Sequence, residues 1–117
     1  MRKILLVLFA FVITACATPQ QRMDKNNDGL LSLEMDMSKQ DVMKIMGNPD
    51  LNEAYKSLHG KSVVIFFYYT QRKRNDGNVT KDETTPVVFE NGRLVGWGSE
   101  FYETKRKVEM DINIKNK

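Results

Sequence analysis

From Val63 to Tyr69 every residue is β-branched or aromatic, Val63-Val64-Ile65-Phe66-Phe67-Tyr68-Tyr69, with no glycine, proline or charge to interrupt the run. Such residues suit a pleated surface, so Ser62 to Thr70 is the strongest strand signal in the chain. A strand of this kind needs neighbours, and they are signalled downstream. Thr85 to Glu90 and Arg93 to Trp97 are separated by Asn91-Gly92, the preferred pair for a two-residue type I′ hairpin. A regular hairpin would pair Glu90 with Arg93, Phe89 with Leu94, Val88 with Val95, Val87 with Gly96 and Pro86 with Trp97. One face then carries Val87, Phe89 and Leu94, and the other carries Val88, Val95 and Trp97.

Upstream, Ser38 begins a short helix whose first turn it can cap, with Asp41 near the positive end of the dipole. Val42, Ile45 and Met46 share one face, and Gly47-Asn48-Pro49 stops the helix. Asp50 to Gly60 repeats the pattern: Asp50 and Glu53 as a cap, Leu51, Tyr55 and Leu58 as a stripe, and Gly60 as a stop. It is expected to form a second short helix. These helices can cover only one face of a three-stranded sheet. The uncovered face would present Phe66, Tyr68, Val88, Val95 and Trp97 as a candidate partner surface. Its cover could be the chain's own end, where Val108, Met110, Ile112 and Ile114 alternate like a strand, or a second copy, or another protein.

Residues 1–15 have the layout of a signal peptide: Arg2-Lys3, an apolar run from Ile4 to Ile13, then small residues. That run is too short to cross a bilayer as a helix. Ile13-Thr14-Ala15-Cys16 resembles the lipobox of bacterial lipoproteins, with Ile13 where leucine is commonest and Thr14 where alanine or serine is. The resemblance implies cleavage before Cys16 and acylation, palmitate included, of that cysteine. The alternative is an ordinary signal cut nearby that leaves a free thiol, but Cys16 is the only cysteine and an unpaired thiol is unusual in an exported chain. Ala17 is not the aspartate that in such lipoproteins signals inner-membrane retention, so the expected place is the outer membrane, facing the periplasm.

Residues 16–29 are polar and read as a lipidated N-terminus with a flexible tether. Within and beyond it, Asp24, Asn26, Asp28 and Gly29 match the start of a calcium-binding EF-hand loop. The position of the bidentate glutamate holds Met35, with Glu34 one residue early, so a simple polar turn is favoured and no metal is expected. Without Arg2 and Lys3 the 18 basic residues fall to 16, against 15 acidic, which argues against nucleic acid as a partner, since such binding needs a concentrated basic surface. The clusters Arg72-Lys73-Arg74 and Lys105-Arg106-Lys107 read as solvated surface that, on a tethered domain, could touch anionic lipid headgroups. Catalysis and cofactors are not expected: His59 is the only histidine and reads as a helix cap, and the acids lie mostly in loops.

Met37, Ser38 and Val42, then Gly47 and Pro49, then Phe89, Gly92 and Leu94 together resemble the motif set of the SmpA/OmlA (BamE) lipoprotein superfamily, with Asp36 replacing the usual glycine. Tyr69 to Arg72, Asp82 to Pro86 and Gly96 to Gly98 more closely resemble a branch of uncharacterised Gram-negative lipoproteins that carry a domain of unknown function. The resemblance spans Leu33 to Tyr102. It implies an α+β fold of two layers, short helices on one face of a three-stranded antiparallel sheet, over residues 30–103, with 104–117 as a charged tail or extra strand. It also implies a non-enzymatic binding or scaffold module for outer-membrane assembly, with an envelope protein as partner. An inhibitor or regulator of an envelope enzyme and a calcium-responsive lipoprotein are the alternatives.

Overall fold

The computed structural model describes residues 18–115, and both the signal-peptide expectation and Cys16 lie outside them. The fold is α+β. Helices α1 (Pro19–Leu30) and α2 (Lys39–Met46) precede strands β1 (Leu51–Lys56) and β2 (Ser62–Tyr69). A single 3-10 turn (Lys81–Glu83), strands β3 (Thr84–Glu90) and β4 (Arg93–Trp97), and helix α3 (Ser99–Lys115) complete it. The sheet has four strands, all antiparallel neighbours, in the order β1-β2-β3-β4.

The extra strand is β1. Leu51 to Gly60 does not form the expected helix. Leu51 pairs with Phe67, and the ladder runs to Lys56 opposite Ser62. Ser57 to Lys61 closes the hairpin, with the Ser57 amide donating to Lys61 O and the Gly60 amide to Ser57 O, both at 2.9 Å. The spacing of Leu51 and Tyr55 fits a strand as well as a helix, and the open edge of β2 offers backbone partners that an isolated short helix lacks.

The tether expectation over 16–29 is also corrected, because most of it is α1. Thr18 Oγ1 accepts from the Gln21 amide (3.2 Å) while Gln21 Oε1 accepts from the Thr18 amide (3.0 Å), a reciprocal cap with Pro19 in the first turn. The helix is then bolted to the end of β2. Asn26 Nδ2 donates to Tyr69 O (2.8 Å), Asn27 Nδ2 to Thr70 O (3.0 Å), and the Arg22 guanidinium pairs with Asp50 while standing 5.6 Å over the Tyr69 ring. Near its end Gly29 lets α2 approach: a Cβ there would lie 2.5 Å from Met46 Sδ. α2 itself follows its signals, with Ser38 Oγ accepting from the Asp41 amide (3.1 Å) and Gly47 taking φ 77° at its end.

The β3–β4 turn has Asn91 at φ 48° and Gly92 at φ 80°, the left-handed pair that a type I′ turn requires. Glu90–Arg93 and Phe89–Leu94 pair as expected. The register then shifts, so that Val88 faces Gly96 and Val87 faces Trp97. The bulge adds a residue to β4 and reverses the side on which Trp97 falls. The Asp36 amide donates to Leu94 O and the Leu94 amide to Met37 O, both at 2.8 Å, so the segment before α2 covers part of the outer edge of β4.

While β1 stays largely exposed, both faces of the sheet are buried over β2 and β3. On one, Leu33, Val42 and Met46 pack with Phe66, Tyr68, Val87, Phe89 and Leu94. On the other, Tyr102 of α3 packs with Val63, Ile65, Phe67 and Val88. The architecture is therefore three layers rather than two, and residues 99–115 form a helix where a tail or strand was expected. The far face is covered by the chain's own end through Tyr102, whose ring meets Phe67 edge-on at 5.6 Å. Phe101 lies flat against Gly96, where a Cβ would approach its ring to 2.6 Å.

Candidate binding site

The five residues expected to form an open surface do not form one. Phe66, Tyr68 and Trp97 lie under α1 and α2, whereas Val88 and Val95 lie under α3. Val88 is fully buried, Phe66 and Tyr68 nearly so, and Val95 and Trp97 are half-buried. Tyr68 donates its hydroxyl to Gly47 O (2.9 Å), which ties β2 to the end of α2, and burial pushes its phenol up to about 12. Asp24, Asn26 and Asp28 sit on helix α1, where residues two apart diverge around the axis and cannot converge on a calcium ion. Asn26 is spent on Tyr69 O, and Asp24 accepts from Gln20 Nε2 (2.9 Å). Among the described residues no three histidine, cysteine, aspartate or glutamate side chains stand together as metal ligands.

A polar knot organises the loop between β2 and β3. Glu83 is fully buried. Its Oε2 accepts from the amides of Lys73 (2.9 Å) and Arg74 (3.3 Å), and its Oε1 accepts from the amide (3.4 Å) and hydroxyl (3.0 Å) of Thr80. Its carbonyl takes the amides of Thr70 and Gln71, both at 3.1 Å. These donors, the Lys73 amide first, hold its carboxyl below the usual glutamate value of 4.5. Glu90, held by the Lys105 ammonium, and Asp82, held by the Thr80 hydroxyl, are also lowered. A carboxyl that binds its proton less tightly when folded stabilises the fold above its unfolded value and loses that contribution as pH falls through the folded one. Denaturant midpoints are therefore expected to fall as pH drops below about 4.5. In Glu83→Gln the midpoint at neutral pH should be lower and its acid dependence shallower; an unchanged acid slope would show that Glu83 contributes nothing to it.

The described residues also carry surface depressions. One, of about 360 Å³, lies between α3 and the β1–β2 turn, lined by His59, Lys61, Glu90 and the α3 residues Phe101, Thr104, Lys105 and Val108. The α3 residues recur at one-turn spacing and present a single stripe to the groove. Phe101 is 37% exposed and Val108 52%, while Leu58 in the adjoining turn is 50% exposed. Sequence reasoning missed this site because it rests on α3 being a helix, and Lys105 to Lys107 obscured the apolar spacing around them.

On the other side of α3 a depression of about 460 Å³ includes Phe67, Lys81, Tyr102 and Arg106. Two of its cations are committed internally: Lys81 pairs with Glu53 and stands 5.4 Å over the Phe67 ring, and Arg106 donates to Tyr102 Oη (3.1 Å), while Lys73 lies at its edge beside Asp82. A third, of about 210 Å³, lies where the start of α1 meets the β2–β3 loop and includes Pro19, Arg22, Tyr69, Arg72 and Arg74. No described helix is long and apolar enough to cross a membrane.

Neither the curated proteins nor the solved structures contain a significant match to this chain. A family model does match, over residues 13–104, from just before Cys16 through every strand and into α3. With so much of the fold inside that match, the chain belongs to the family described as protein of unknown function (DUF3192).

Proposed function

We propose that this protein is a lipid-anchored, non-catalytic binding module on the periplasmic side of the outer membrane. It would support envelope assembly by holding an envelope protein in the groove beside α3. The observation that carries the reading is that groove: Phe101 and Val108 line it and stay exposed, with Leu58 exposed in the adjoining turn, at one end of a domain whose sheet is closed on both faces over β2 and β3. Lys61, Glu90 and Lys105 frame the groove, an apolar floor with a polar rim as protein-binding sites have.

The N-terminal pattern ending at Cys16 supports the anchor, and the motif set from Met37 to Leu94 supports a relationship to the BamE-like superfamily. The fourth strand and the helix on the far face make any such relationship one of a shared inner unit, α2 with β2, β3 and β4, with β1 and α3 as additions. Absence of catalysis is supported by the solitary, exposed His59 and by Glu53, Glu83 and Glu90, which are occupied by internal partners.

The test places a photo-crosslinking residue at Phe101 in the full chain in intact cells, with Leu31, 87% exposed at the end of α1, as the control position. A discrete protein adduct at Phe101 and none at Leu31 is the expected result. Its identification separates an assembly partner from a regulated enzyme. Equal labelling at both positions would remove the groove reading, and a Cys16→Ser chain that still fractionates with membranes would remove the anchor.

A further inference from the structure

The start of α1 stands only three residues beyond the cysteine to which the proposed anchor is attached. Three peptide steps span at most about 11 Å, so Pro19 cannot lie farther than that from Cys16 along the chain. A flexible tether of the length expected from the sequence would let the domain tumble at about 20 Å from the bilayer. Docked α1 removes that freedom. Asn26 and Asn27 are bonded to the carbonyls of Tyr69 and Thr70, and Arg22 is held by Asp50 and the Tyr69 ring. The end of the domain beside Pro19 is the β2–β3 loop, which together with Arg22 encloses the groove bearing Arg72 and Arg74. The β1–β2 turn lies at the other end of β2, whose 8 residues separate the two ends by about 25 Å.

From this geometry, and resting on the anchored reading above, we infer that the domain stands on the leaflet on its β2–β3 loop, with Arg72 and Lys73 against headgroup phosphates and the α3 groove pointing away. Charge decides which side chains meet the lipid. Arg22 is already paired with Asp50, and Arg74 with Asp82 at 3.0 Å. Among the described residues neither Arg72 nor Lys73 forms a salt bridge: Lys73 stands near Asp82, which Arg74 already holds, and Arg72 Nε donates only to Tyr69 Oη, at 3.3 Å. A cation close to an anionic leaflet contributes about fivefold in affinity, so two contribute about 25-fold. That is too little to hold a free protein on a membrane, but enough to select one orientation of a chain that is already attached. The occupant is the phosphate of a membrane headgroup, not a free anion, because covalent attachment raises the local concentration of the former alone.

The experiment uses the full, acylated chain reconstituted into vesicles of phosphatidylethanolamine with phosphatidylglycerol, and in parallel into phosphatidylcholine vesicles. Acylation consumes the native thiol, so an environment-sensitive fluorophore is placed through a single new cysteine, Asn75→Cys in the loop or His59→Cys in the distal turn. Quenching by headgroup-labelled lipid is then measured. The expected result is at least fivefold stronger quenching from Asn75→Cys than from His59→Cys in the anionic vesicles. The difference should shrink in phosphatidylcholine and when Arg72→Ala and Lys73→Ala are combined, with the circular dichroism spectrum unchanged. Equal quenching at the two positions would overturn the orientation. A difference indifferent to both lipid charge and the double substitution would overturn the phosphate contact. Inorganic phosphate that abolishes the difference as well as anionic lipid establishes it would assign the site to free anions and overturn the lipid assignment. Mass spectrometry of the purified chain distinguishes the underlying reading: an unacylated Cys16 refutes the anchor and this orientation together, whereas an acylated chain without orientation refutes only the latter.

Discussion

Replacing Phe89 with alanine is expected to cost about 3–5 kcal/mol, the range for removing a large aromatic side chain from a packed core. Phe89 has no exposed surface and sits at the junction of everything on the α1–α2 side. Its ring meets Phe66 at 5.0 Å and 64°, and its cluster includes Val42 and Met46 from α2 and Leu94 from β4. A domain of this size has about 5–15 kcal/mol of stability in total, so the loss would bring it close to unfolding at growth temperature. Urea denaturation of Phe89→Ala beside Phe89→Leu checks this. The leucine variant keeps most of the volume and should cost less than about half as much. If alanine is tolerated as well as leucine, α2 is not packed on the sheet as described.

Val88→Asp is expected to leave the chain without a cooperative unfolding transition. Read from the sequence alone, Val88 belongs to an exposed partner surface, where a charge would abolish binding and spare the fold. In the structure it is fully buried between Ile65, Phe67 and Tyr102. A carboxylate among these apolar side chains would be stripped of water, and an uncompensated buried charge costs several kcal/mol. Thermal melts followed by circular dichroism separate the two outcomes. A folded Val88→Asp chain would mean that α3 does not cover this face. Val108→Asp is the counterpart: Val108 is 52% exposed at the groove, so this variant should keep most of its stability and, with the crosslinker at Phe101, lose the adduct.

The contrast between these two positions shows where sequence reasoning stops. The hairpin at Asn91-Gly92 was legible because its turn demands two left-handed residues that few pairs supply, and α2 was legible because cap, stripe and stop agree within one short stretch. The bulge after Phe89–Leu94 carries no comparable local mark. Val95-Gly96 could continue a regular ladder; in the bulged one Gly96 faces Val88, and the Phe101 ring occupies the space over it. The start of α1 did carry a signal, Thr18-Pro19 with Gln21 three residues after the cap, but its polar composition resembles a linker until Asn26 and Asn27 are seen bonded to β2. The groove beside α3 could not be found at all without knowing that residues 99–115 are helical, since only a helix brings Phe101, Thr104, Lys105 and Val108 onto one side.

What the sequence by itself determined is local: the long strand from its unbroken β-branched and aromatic run, the type I′ turn, the short capped α2, and an α+β class that follows from having both kinds of element. Those features are decided by steric and hydrogen-bond preferences among residues a few positions apart. The tertiary structure alone decided that Leu51 to Lys56 is a strand, that residues 19–30 are a docked helix, and that the chain's own end closes the far sheet face. In each case the local preference was nearly balanced. The balance was tipped by a surface elsewhere in the chain: the open edge of β2, the carbonyls of Tyr69 and Thr70, and the apolar patch of Phe67 and Val88. A short segment adopts the conformation that satisfies such a surface, because burying its apolar area and pairing its backbone outweigh intrinsic propensities of a few tenths of a kcal/mol per residue.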